Sequence, residues 1–256
     1  MRDGEADIHT GAVALVGSGE YTDAMNETDQ VLLETVGGAA HARVVLLPTA
    51  SGLEAEGPRY WNDLGRDHFA RLGVTDIRPA WIIDRKSADD PAQVELLRDA
   101  NFFYFSGGKP SHVIESLRGT RAWERIVAAY QAGAVLAGCS AGAMALSEKT
   151  FAFSIRLSHG KIGWTDALNV VPGIIVFPHF DRMMRFPSEV AFHQIVKSAP
   201  DGCTVLGIDE DTALVRANGN GNGTASSWRV LGRQTVNVFE RHREPRVLHS
   251  GDEITL

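Results

Sequence analysis

Ala134-Val135-Leu136-Ala137-Gly138-Cys139-Ser140-Ala141-Gly142-Ala143-Met144 opens as an apolar, strand-like run and closes as a helix start built from small residues. Gly-x-Ser-x-Gly falls at the junction. A serine between two such elements sits on a turn tight enough to force unusual backbone angles, so its neighbours must be tiny. Gly138, Ala141, Gly142 and Ala143 meet that demand. The turn projects the hydroxyl past the strand end and aims the next backbone N–H at the same space. A nucleophile and half of an oxyanion site can therefore share one corner. A serine-capped helix start would use the same letters; the strand pattern before Ser140 and the helix pattern after it favour the catalytic reading.

Outward from this junction the chain alternates. Strand-like runs at Ala12–Val16, Arg43–Leu47, Ile77–Ile83, Asn101–Phe105 and Ala134–Ala137 are separated by helical patterns. Those patterns cover Asp23–Val36, Pro58–Leu72, a segment from Pro91 through Ala100, Ser111–Leu117 and Ala122–Gln131. The alternation predicts an α/β fold, a doubly wound and mostly parallel sheet, in which loops at the carboxyl ends of the strands line the working crevice. Gly19-Glu20, Thr49-Ala50-Ser51, Gly107-Gly108 and Ser140 all fall there. Gly17-Ser18-Gly19 lacks the third glycine of a dinucleotide fingerprint, since Thr22 stands in its place, so a cleft-lining loop is the better reading. The pair Gly107-Gly108 ends a strand, where glycines free backbone N–H groups to face an anion.

Beyond Thr150 the rhythm changes. Phe151–Gly163 is irregular and reads as a lid or a crossing strand. Gly173–Phe177 and Thr204–Ile208 are further strands, with a helix over Pro187–Ser198 between them. Paired strands at Leu214–Ala217, Ser227–Leu231 and Thr235–Glu240 follow, the first two joined across an Asn-Gly repeat at 218–223. The expectation is one domain over 1–256, flexible at 1–11, with a C-terminal β-hairpin region at 213–256.

Composition narrows the function. A net charge of −7 lacks the basic footprint of nucleic-acid binding. Two cysteines, Cys139 and Cys203, make neither a disulfide framework nor a zinc site. No apolar run approaches the roughly 20 residues that span a bilayer, and residues 1–10 form no signal peptide, so a cytoplasmic protein is expected.

A serine hydroxyl needs a base, and the base needs an orienting partner. Of nine histidines, His179 alone directly follows a buried-looking strand, in the same crevice position as Ser140. The carboxylate should come from another strand end, which points to Asp209-Glu210-Asp211; residue chemistry leaves all three open, whereas Asp181 is too near His179 in the chain.

Ser106-Gly107-Gly108, Gly138-Cys139-Ser140-Ala141-Gly142-Ala143, Pro178-His179-Phe180-Asp181-Arg182 and Gly207–Ala213 together resemble the cyanophycinase and peptidase E family of serine peptidases (family S51). The opening Gly17-Ser18-Gly19-Glu20 is similar too. The resemblance runs from about Ala12 to Ala217 and implies a class I glutamine-amidotransferase-like, flavodoxin-like fold. It also implies Ser140 as nucleophile, His179 as general base and Glu210 as orienting acid, with N–H groups of Ala141, Gly108 and Gly107 as the oxyanion hole. Amidotransferases of this fold place cysteine at the centre of the turn; here Ser140 holds that place, and Cys139, one position earlier, points elsewhere.

Around the substrate the chain departs from cyanophycinases. Lys109-Pro110 replaces an acidic residue and glutamine after the glycine pair, and Phe177-Pro178 replaces an Asp-Gln pair before the histidine. Of the arginine cluster that follows, Arg182 and Arg185 remain, interrupted by Met183, Met184 and Ser188. Lys109, Arg182, Arg185 and Glu20 are the candidate substrate contacts, and the arginines could grip a carboxylate in bidentate fashion. The reading is a serine hydrolase of a small peptide or amide, next to an aspartyl or isoaspartyl residue, working without metal or cofactor. The resemblance implies a homodimer. Two alternatives are a non-catalytic metabolite-binding domain of the same fold and an acyl-transferring tailoring enzyme.

Overall fold

The computed structural model describes residues 10–151, 163–183, 189–217 and 227–256. Its first half follows the alternation. Strands β1 (Val13–Val16), β2 (Arg43–Leu47), β3 (Asp76–Pro79), β4 (Phe102–Phe105) and β5 (Val135–Cys139) are all parallel, in the spatial order β1-β5-β4-β2-β3. Between them lie α1 (Asn26–Glu34), α2 (Gly57–Arg71), α3 (Arg85–Ala88), α4 (Pro91–Leu96), α5 (Pro110–Leu117) and α6 (Arg121–Gln131); α7 (Ala141–Leu146) follows β5. The central strands are buried on both faces, as parallel strands between helices must be. Alternate residues serve opposite cores. Leu15, Leu47, Phe105 and Leu136 meet Val113, Leu117 and Ile126 from α5 and α6. Val16, Leu46, Phe102 and Ala137 meet Leu32, Leu33 and Phe69 from α1 and α2.

The second half departs from the expected single sheet. Strands β6 (Lys149–Phe151) and β7 (Trp164–Asp166) form a short antiparallel ribbon, whereas β8 (Ile174–Pro178) and β9 (Thr204–Ile208) pair in parallel within a separate four-stranded sheet. That sheet is completed by β12 (Thr235–Phe239) and β13 (Arg246–His249). The remaining strands, β10 (Thr212–Arg216), β11 (Ser227–Gly232) and β14 (Glu253–Thr255), extend the large sheet antiparallel beyond β1. The C-terminal strands are thus shared between two sheets rather than grouped in one hairpin region. Val176, Leu206, Ile208, Val236 and Val238 join the same buried cluster as the large sheet, so one face of the small sheet closes the main core. Its other face meets the aromatic cluster of Phe151, Phe180, Phe192 and Phe239.

Other boundaries shift for local reasons. The third strand stops at Pro79 and not Ile83, because residues 80–83 turn to meet side chains: Asn62 and Thr49 donate to the carbonyls of Ala80 and Ile82. Helix α4 ends at Leu96, short of Ala100, and Asp99 adopts a positive φ of 56°. The last helices are α8 (Phe180–Met183) and α9 (Glu189–Ser198). The expected start of α9 at Pro187, the 218–223 hairpin tip, the flexible N-terminus up to residue 9 and most of the lid segment lie outside the described residues. Among the described residues, no helix is long and apolar enough to cross a membrane.

Candidate active site

The site lies where the two sheets meet. Ser140 leaves β5 with φ 50° and ψ −110°, a backbone conformation reserved for tight, strained turns, and α7 begins at the next residue. Its own N–H is tied to Val16 O at 2.9 Å, which docks the turn against β1. The small residues are sterically required. A Cβ on Gly138 would come within 2.7 Å of the Gly142 backbone, and one on Gly142 would lie 2.4 Å from the Phe105 carbonyl oxygen. The loops after β1 and β4, its neighbours on either side, flank the turn.

His179 repeats the device in the small sheet. It follows β8 directly, has φ 51°, and its carbonyl accepts the first helical N–H bonds of α8. Strand β9 runs parallel to β8 with Pro178 opposite Ile208, so its outgoing turn, 209–211, emerges beside the histidine. That turn crosses from the small sheet into β10 of the large one. A Cβ on Gly17 would lie 2.1 Å from Asp209 O, so glycine there lets the end of β1 touch the crossing.

Ser140 Oγ and His179 Nε2 are 2.9 Å apart, and His179 Nδ1 and Glu210 Oε1 are 2.8 Å apart. A carboxylate only accepts, so Nδ1 carries the ring proton, which leaves Nε2 as acceptor for the serine hydroxyl. The neighbouring acids have other partners. Asp209 Oδ2 accepts from the N–H and hydroxyl of Thr235, and Asp211 is packed beside Gly19 with Arg233 at 3.8 Å. Of the three acids that sequence chemistry left open, Glu210 is the one that reaches the imidazole.

Three contacts that sequence reasoning did not anticipate hold Glu210. Asp181 Oδ1 accepts its N–H at 3.0 Å, Gln234 Nε2 donates to its carbonyl at 2.9 Å, and Arg182 Nη2 reaches its Oε2 at 2.6 Å. Asp181 therefore ties the first turn of α8, just after His179, to the turn that bears Glu210. Its place two residues from the histidine was a usable signal; nothing local marks Gln234.

The glycine pair is divided in its duties. Gly107 N–H donates to Glu20 Oε1 at 2.8 Å, and Lys109 N–H donates to Ala50 O at 2.8 Å. Gly108, at φ 141° and with Ala50 backbone where a Cβ would sit, keeps its N–H without an acceptor among the described residues. Ala141 opens α7, so its N–H also has no intrahelical partner. The geometry separates the three expected oxyanion donors: Gly108 and Ala141 have N–H groups to offer, and Gly107 does not.

Glu20 departs from the expected substrate contact. It is buried, with Oε1 on Gly107 and Oε2 accepting from the Cys139 thiol at 2.9 Å. Burial, and then the adjacent Glu20 charge, push the Cys139 thiol well above its ordinary range, so it stays a protonated donor. Lys109 is exposed beside Gly108 and has no ion-pair partner among the described residues. Arg182 is exposed, whereas Arg185 lies outside the described residues. Among the described residues no group of three or more His, Cys, Asp and Glu side chains is placed to hold a metal ion.

A serine on a strand-to-helix turn, backed by imidazole and carboxylate in line, is the arrangement of a serine-type hydrolase. The chain belongs to peptidase family S51, whose model matches residues 13–222. A peptidase from an acI-B1 Actinobacterium, known from its crystal structure, is 33% identical with a TM-score of 0.82, covering 98% of each chain. A putative peptidase E protein from Listeria monocytogenes EGD-e shares the fold at 19% identity and a TM-score of 0.57, over 88% of this chain and 100% of that one. No curated protein matches the chain.

Proposed function

We propose that the protein cleaves a small peptide or amide by acyl transfer through Ser140, with His179 as general base and Glu210 as its orienting acid. The observation that supports this reading most strongly is the unbroken pair of hydrogen bonds, 2.9 Å and 2.8 Å, from hydroxyl to imidazole to carboxylate. Ser140 Oγ attacks the scissile carbonyl as its proton passes to His179 Nε2. The carbonyl oxygen, now negative, lies against the N–H groups of Gly108 and Ala141. The imidazolium then protonates the leaving amine, and water, deprotonated by the same ring, releases the acyl group.

The substrate carries a carboxylate near the scissile bond, as in an aspartyl or isoaspartyl peptide. Lys109, next to Gly108, and Arg182, paired with Glu210, support this, being exposed cations next to residues of the site in a chain of net charge −7. The test is a panel of α- and β-linked aspartyl dipeptides beside their asparaginyl counterparts. Faster release of the amine product from the acidic members is expected. Equal or faster turnover of the neutral members would refute the substrate assignment. Products joined to an added amine would replace hydrolysis with acyl transfer.

A further inference from the structure

Glu20 joins the two loops from which the site is built. One carboxylate oxygen accepts from the Gly107 N–H and the other from the Cys139 thiol, so a single buried side chain spans the neighbour of Gly108 and the neighbour of Ser140. On the far side of Gly108, Lys109 N–H is anchored on Ala50 O. Both flanking peptides are therefore held, and the N–H between them is left without an acceptor among the described residues. A glycine at φ 141° has no side chain to fix its orientation, so its direction depends on those two anchors.

Resting on the acyl-transfer reading above, we propose that Glu20 is a positioning residue that holds the Gly107-Gly108 loop against the Cys139-Ser140 turn, so that the Gly108 and Ala141 N–H groups converge on the developing oxyanion. Such a brace acts on the transition state more than on the bound ground state. Its loss should lower the rate of the chemical step and leave saturation nearly unchanged. An unsatisfied Gly107 N–H would also draw its peptide toward a new acceptor and turn the adjoining Gly108 peptide with it.

The test uses the full chain and a fluorophosphonate probe, whose phosphoryl oxygen also becomes more negative as the serine attacks. Glu20→Gln keeps an acceptor for Gly107, whereas Glu20→Met fills similar volume with none. Glu20→Met is expected to lower the limiting labelling rate by about 10- to 100-fold, with the half-saturating probe concentration within about twofold of wild type. Glu20→Gln is expected to recover most of that loss. Labelling of Glu20→Met at the wild-type rate, or equal losses in both variants, would overturn the proposal while leaving the acyl-transfer reading intact. If Glu20→Met does not fold, Cys139→Ala decides the matter by cutting the second anchor: a slower limiting rate is expected, and an unchanged one overturns the brace. A wild-type protein that is not labelled at Ser140 would overturn both.

Discussion

At Ser140 the backbone adopts a conformation that a serine in a plain helix cap would not need, φ 50° with ψ −110°, and the same sign of φ recurs at His179. Each strained residue is held between a strand and the first turn of a short helix, so both side chains are aimed before substrate arrives. Glu210→Gln keeps the shape but allows the imidazole to turn or take the wrong tautomer. It is expected to lower the rate of Ser140 acylation by about 10⁴-fold while the fold stays intact, measured as single-turnover kinetics beside a circular dichroism spectrum. At this scale the sequence was most informative about Ser140 and His179, because a turn of small residues and a strand-end histidine are local signals. It could not separate Asp209, Glu210 and Asp211, since that choice is made by Thr235 and Gly19, which meet the turn only after folding. The sequence puts Glu20 at a strand end, but its burial and its Cys139 partner depend on a neighbour 119 residues away.

Among the elements, α7 leaves little room for change. All six of its residues are buried, and Gly142 lies against the Phe105 backbone. Gly142→Ala would drive a methyl to 2.4 Å from that carbonyl oxygen. It is expected to cost about 1–3 kcal/mol of stability by overpacking, read from the denaturant midpoint, and to slow Ser140 labelling by shifting the turn. Far from the site, Asp84 caps α3 in a capping box with Ser87. The Ser87 backbone and hydroxyl bonds hold the Asp84 carboxyl below its ordinary value. A depressed folded value adds stability above the unfolded value near 4, and that stability is lost as pH falls through the folded value. Asp84→Ala should therefore cost about 1 kcal/mol at neutral pH and progressively less in acid, as followed by thermal melts. Of the first five strands, β1, β2, β4 and β5 were legible as mostly apolar runs closed by a turn, whereas β3, Asp-Ile-Arg-Pro, is partly charged and was marked only by its place in the alternation. Strands β6 and β7, three residues each, are too short to show a period, and β13 and β14 are mostly exposed and polar.

For the whole molecule, two sheets share one core, and the 209–211 crossing from one to the other delivers the carboxylate to the imidazole. The run Gly173–Phe177 looks the same whichever sheet it joins; strand pairing is long-range and leaves no local mark. A second imidazole–carboxylate pair, His68 and Asp29 at 2.8 Å, is wholly buried between α1 and α2, away from any solvent. Burial raises the Asp29 carboxyl above its ordinary value, outweighing the His68 hydrogen bond. A raised folded value means more protons bound in the folded state than in the unfolded one, so this group erodes stability as pH climbs from about 4. Asp29→Asn is expected to flatten the fall in melting temperature over that window, and an unchanged slope would exclude Asp29 as its source.

The proposed acyl transfer depends on the alignment of hydroxyl, imidazole and carboxylate across the two sheets. Intact-protein and peptide mass spectrometry after incubation with a fluorophosphonate, comparing wild type with His179→Ala, tests it most directly. The predicted result is a single adduct on Ser140, forming about 100- to 10,000-fold more slowly in the variant. An adduct on another residue, or equal rates in the two proteins, would contradict it.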